Sequence, residues 1–102
     1  MDRSNDRRLT KQLCEVIASL NNAEETALFL RDLCTEKEIE YMAQRVEAAI
    51  LLMRGKTYQE VTEQISISSA TLTRVSKCVK AKRGYFRVLG KRAKQASEEE
   101  KA

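Results

Sequence analysis

The sequence predicts an all-α fold, and three observations carry that prediction. Apolar residues recur at three- and four-residue spacing through most of the chain, the mark of helices with one buried face. The 102 residues include no Pro and only three Gly, so little interrupts such helices. Asn22 with Glu25, Thr35 with Glu38, and Thr57 with Glu60 each stand just ahead of an apolar stretch. In that pairing each side chain satisfies the other residue's backbone N–H, which starts a helix.

The first helix carries Leu9, Leu13, Val16, Ile17 and Leu20 as one stripe and ends at Asn21-Asn22. The second begins at the Asn22 cap and carries Leu28, Phe29, Leu30 and Leu33. Thr35 starts a third, along which Ile39, Met42, Val46, Ala49, Ile50 and Met53 follow at helical spacing. Leu51 and Leu52 widen its apolar face, which predicts the most buried helix of the fold. Gly55 suits the left-handed position that ends it.

A short fourth helix follows Thr57, with Val61 and Ile65 inward and Thr62 as the small residue that admits a neighbouring helix. Ser66-Ile67 makes the turn, with Ile67 plugging the corner, and Ser68 caps a fifth helix whose inward residues are Leu72, Val75 and Val79. Beyond Lys80, "AKRGYFRVLGKRAK" mixes Tyr85, Phe86, Val88 and Leu89 with basic residues. Gly84 and Gly90 predict only a short last helix there. Residues 1–95 read as a single helical domain and 96–102 as a disordered tail.

Charge is divided unevenly. Residues 1–53 hold 7 Lys/Arg and 10 Asp/Glu; residues 54–94 hold 11 Lys/Arg and 2 Asp/Glu. A local excess of nine positive charges is the footprint of a phosphate-binding surface. The last eight residues hold 1 Lys and 3 Glu.

No apolar run approaches a membrane span, and "MDRSNDRR" lacks the apolar core of a signal peptide. A cytoplasmic protein with no membrane association is expected. Cys14, Cys34 and Cys78 are odd in number and widely spaced, which predicts buried free thiols. With no His and no C-x-x-C pair, neither a metal site nor a cofactor is predicted. Catalysis would need a Cys, Lys or carboxylate centre. The acids are spread as helix caps and exposed faces, and no Cys has a base beside it, so an enzyme is not expected.

Residues 57–79 have the cadence of a helix-turn-helix. With Leu72, Val75 and Val79 facing the core, the opposite face of the second helix presents Ala70, Thr73, Arg74 and Lys77, with Ser69 and Thr71 near its start. In such a motif these first residues reach base edges in the major groove of double-stranded DNA. Hydroxyls pair with either base type, and Ala or a Thr methyl can touch a thymine methyl. Arg74 and Lys77 are long enough for phosphates, which position a protein without specifying sequence. Lys56 and Tyr58 would contact phosphate at the start of the first helix of the pair, and Ser68 joins the set at the turn. The competing class is a protein-interaction module that docks on transcription machinery through its basic region.

"LFLRDLCTEKEIEYMAQRVEAAILLMRGKTYQEVTEQISISSATLTRVS" resembles the core of the Trp repressor family, in particular its YerC/YecD-type branch. The distinctive pieces are "LRDLCT", "QRVEAAILLMRGKT" and "ATLTR". The resemblance implies an intertwined homodimer in which two reading heads project from a shared core onto a palindromic site, as a repressor would use. It also implies a ligand pocket between the third and fifth helices, with Thr35, Arg45 and Arg74 matching ligand residues of the tryptophan-responsive members. Val75 stands where those members have Gly, and Cys78 where they have Ser. A Val side chain takes up space a flat indole needs, and a thiol is a poor partner for an ammonium group. Tryptophan is therefore not expected as an effector, and whether another small molecule serves is left open. Other roles for the two arginines are an ion pair of Arg45 with Glu47 or Glu38, and a phosphate contact for Arg74. Val75 itself would fill the pocket and hold the reading head ready.

Overall fold

The computed structural model describes the backbone of residues 3–101 and the side chains of residues 6–95 and 99. Six helices follow one another: α1 (Arg3–Ala18), α2 (Ala23–Leu33), α3 (Glu36–Met53), α4 (Tyr58–Gln64), α5 (Ser69–Lys80) and α6 (Gly84–Lys101). No strand is present among the described residues. Compact contacts divide the chain into two units, Met1–Ile39 and Glu40–Ala102.

In the first unit the predicted caps form. Asn22 accepts the Glu25 N–H at 2.8 Å, although Glu25 reaches the Asn21 side chain rather than the backbone of the cap. Thr35 and Glu38 exchange both bonds, Thr35 N–H to Glu38 Oε1 at 2.8 Å and Glu38 N–H to Thr35 Oγ1 at 3.1 Å. The Thr35 backbone N–H first, and the Thr35 side chain second, hold the Glu38 carboxyl below its ordinary pKa. The apolar stripes form too, but much of their surface stays open among the described residues. Leu9, Leu13, Val16, Ile17, Leu28 and Leu33 all stay exposed, and α2 has no buried residue.

The second unit holds the core. Ala48, Ala49, Leu51, Val61, Leu72 and Val75 are at most 1% exposed and pack as one cluster, with Leu52, Ile65, Ile67, Val79, Tyr85 and Leu89 against it. Four consecutive residues of α3, Ala48 to Leu51, are buried, which makes its C-terminal half the centre of this unit. α3 ends as predicted at Gly55, with φ +86°. The Gly55 N–H donates to the Leu52 carbonyl at 3.0 Å and the Lys56 N–H to the Leu51 carbonyl at 3.1 Å, which satisfies two otherwise orphaned acceptors.

Several expectations are corrected. Thr62 is exposed and back-bonds to the Gln59 carbonyl, while Val61 is fully buried in the cluster as predicted. Cys14 is exposed and Cys34 and Cys78 are half-buried, so the thiols are free but not buried. The last helix is long. Tyr85, Leu89 and Ala93 recur every four residues, and Tyr85 and Leu89 pack on the cluster while Ala93 is buried. That burial outweighs the helix-weakening effect of Gly90. Helical backbone reaches Lys101, past the boundary placed at residue 95, and Ala102 lies outside the described residues. No helix among the described residues is long and apolar enough to cross a membrane.

Candidate nucleic-acid interface

α4, the connection over residues 65–68 and α5 form the motif anticipated from the sequence. Thr57 accepts from the Glu60 N–H at 3.1 Å, and its own N–H donates to Glu60 Oε1 at 3.0 Å. The Thr57 backbone bond, then its side chain, hold the Glu60 carboxyl below its ordinary value against desolvation, with a lesser contribution from the charge of Lys56. Ile65 and Ile67 anchor the connection on the cluster. Ser68 caps α5, accepting the Thr71 N–H at 3.2 Å, and the Ser68 hydroxyl also donates to Thr71 Oγ1 at 2.9 Å.

These bonds divide the predicted contact residues into two groups. Ser68 and Thr71 are engaged with each other, and both line a cavity of about 360 Å³ with Tyr41, Gln44 and Arg45 of α3 and Ser66 and Ile67 of the turn. Thr71 is half-buried. Ser69, Ala70, Thr73, Arg74 and Lys77 are exposed and fall on one face of α5. Leu72, Val75 and Ser76 are buried on the other. Ser76 was not anticipated: a lone Ser gives no periodic signal, whereas its neighbour Val75 does. The Thr73 hydroxyl donates to the Ser69 carbonyl at 2.9 Å. α5 contains no acidic residue, and Lys77 and Lys80 occupy its last turn. Beside it, Tyr58 is 44% exposed at the start of α4, and Lys56 is half-buried.

Four of the five residues that the resemblance assigns to a ligand pocket meet. Arg45, Arg74, Val75 and Cys78, joined by Tyr85 of α6, line a cavity of about 320 Å³. Thr35 is spent on the cap of α3. Val75 is 1% exposed, belongs to the core and lines this cavity. Among the described residues Arg45 makes no ion pair, with Glu47 or any other acid. Arg45 instead borders both this cavity and the one behind the turn. Tyr85 is the pocket residue that sequence reasoning missed, because it sits in a segment where basic residues obscure the apolar period.

A buried inner face, an exposed acid-free outer face and a capped turn define a helix-turn-helix protein. Known proteins agree with that class and narrow it. The Trp repressor protein family matches residues 8–93, and the chain belongs to that family. Over 68 residues it is 43% identical to an uncharacterised protein, YerC, of Bacillus subtilis (strain 168); the match covers 67% of this chain and 65% of the relative. The crystal structure of a TrpR-like protein from Eubacterium eligens superposes with a TM-score of 0.76 at 34% identity, covering 82% of this chain and 88% of that one.

Proposed function

We propose that this chain is a sequence-specific DNA-binding transcription regulator, a repressor that acts as a homodimer on a palindromic operator in the cytoplasm and does so without tryptophan. The outward face of α5 carries this reading. Ser69, Ala70 and Thr73 are short groups suited to base edges, and Arg74 and Lys77 beside them are suited to phosphates. α5 spans 12 residues, about 18 Å, a length the major groove accepts. Lys56 and Tyr58 add phosphate contacts at the start of α4.

The dimer reading draws on the exposed stripe of α1, where Leu9, Leu13, Val16 and Ile17 are 38–48% exposed. A stripe of that size is more favourably covered than wetted. Independence from tryptophan draws on Val75, which is fixed in the core beside the cavity, and on Cys78, which lines it in place of a hydroxyl.

Selection of genomic DNA fragments by the purified protein, with no small molecule added, tests the proposal. Enrichment of a palindrome is expected. Salt-sensitive bulk binding without enrichment would contradict sequence-specific reading and favour the interaction module.

A further inference from the structure

The cavity beside α5 is walled on one side by an aromatic residue of α6. Tyr85 is half-buried in the first turn of α6 and packs against the core cluster to which Leu72 and Val75 of α5 belong. On one side it lines the cavity of about 320 Å³ with Arg45, Arg74, Val75 and Cys78. On another it lines an apolar cavity of about 460 Å³ with Val46, Val88 and Leu89. Tyr85 and Cys78 are the two residues common to both, so they form the partition between them. Of the two, the phenol ring is much the larger.

The chain holds that ring in place at a backbone cost. Between α5 and α6, Lys82 takes a left-handed φ of 55°, a strained conformation that non-glycine residues seldom adopt. The reversal is held by the Ala81 N–H to the Lys77 carbonyl and the Lys82 N–H to the Val79 carbonyl, each 3.0 Å. The Lys82 ammonium lies 5.6 Å from the centre of the Phe86 ring, which ties the turn to the first turn of α6. This strained reversal lies three residues before Tyr85 and leads the chain into α6.

Two guanidiniums face this cavity, and no carboxylate lines it. Arg45 comes from α3 and Arg74 from α5, so like charges oppose each other across the cleft between the two helices. A cleft of this kind is held closed only by what packs between its walls.

We infer that Tyr85 is a built-in aromatic wedge that sets the pose of α5 against α3, so that α6 supplies from within the chain the aromatic packing that holds the outward face of α5 ready for DNA. This rests on the reading of α5 as the DNA-contacting helix. Tyr85 is a positioning residue, since its ring lies among the core residues behind that face. Truncation to Ala removes the larger part of the partition and is expected to leave a joined cavity with room for one phenol molecule.

The test compares the wild-type chain with Tyr85→Ala and Tyr85→Phe, each with and without millimolar phenol. It reads amide hydrogen exchange across residues 69–80 and affinity for the DNA selected by the wild type. In Tyr85→Ala, exchange in α5 is expected to quicken about tenfold or more while Ala48–Leu51 of α3 stays protected. Affinity should fall in parallel, phenol should restore both, and Tyr85→Phe should behave as wild type. Unchanged exchange in α5, equal acceleration throughout the chain, or no response to phenol would overturn the inference. If the wild type selects no DNA while exchange follows the expected pattern, the wedge stands and the DNA reading falls.

Discussion

The two compact units of this chain follow the same rules of helix formation and end in opposite states. In residues 40–102 the apolar faces close on one another, and six residues are at most 1% exposed. In residues 1–39 the helices are equally regular, with caps at the starts of α2 and α3, yet Leu9, Leu13, Val16, Ile17, Leu28 and Leu33 remain exposed. Local signals decide where a helix begins and ends. They do not decide what its apolar face will meet. Closure within a chain requires several helices to converge on one point, as α3, α4, α5 and α6 do around Leu51 and Leu72. The first unit has its stripe without that convergence, and the proposed dimer supplies the missing surface.

The sharpest way to break this contrast is to truncate one leucine on each side. Leu72→Ala should cost about 2–5 kcal/mol by chemical denaturation, since its side chain is fully buried. Leu13→Ala, at a position 40% exposed, should cost much less in a dilute sample where the chain is alone. Equal losses would mean that the two units are not distinguished by burial. A second change addresses association: Leu13→Asp together with Ile17→Asp should convert a dimer to a monomer in sedimentation velocity, because two charges would enter an apolar contact. A double variant that sediments as the wild type would remove α1 from the interface.

Smaller effects sharpen the comparison at the caps. Ser68→Ala in the second unit should lower stability by about 0.5–2 kcal/mol and expose the start of α5 to faster amide exchange. Asn22→Ala should produce a similar local fraying of α2 with little change in the melting of the core. The smallest effect is one of pH. Glu60 has its pKa lowered by the Thr57 bonds, so its contribution to stability is full above the ordinary glutamate value and fades as pH falls through the lowered one. Between about pH 6 and about pH 3 the wild type should therefore lose slightly more melting temperature than Glu60→Gln. The opposite difference would show that the carboxylate does not favour the cap.

Much of the motif could be read in the sequence because it depends on neighbours three or four residues apart. Thr57 and Glu60, Gly55, Ser68, Leu72 and Val75 all act where their spacing placed them. What escaped depends on residues distant in sequence. Ser76 is buried because of what lies beside it, not because of its own chemistry. Thr71 belongs to the outer arc of α5 by position, yet its hydroxyl is taken by the Ser68 cap. Cys14 was expected inside because it lies near an apolar stripe, but that stripe is open. Tyr85 and the length of α6 were hidden by the basic residues between each contact residue and the next. Two glycines suggested interruption, while an added Cβ at Gly90 would meet only Met53 Cε at 4.0 Å, so no backbone demand breaks the helix there.

The central claim is that the outward face of α5 reads base pairs, twice, in a symmetric site. Repeating the DNA selection with Thr73→Asn tests it most directly. Asn can pair with adenine through two hydrogen bonds where Thr cannot. The account predicts a palindrome altered toward adenine at one position, mirrored in both half-sites. Recovery of the wild-type motif unchanged would contradict it.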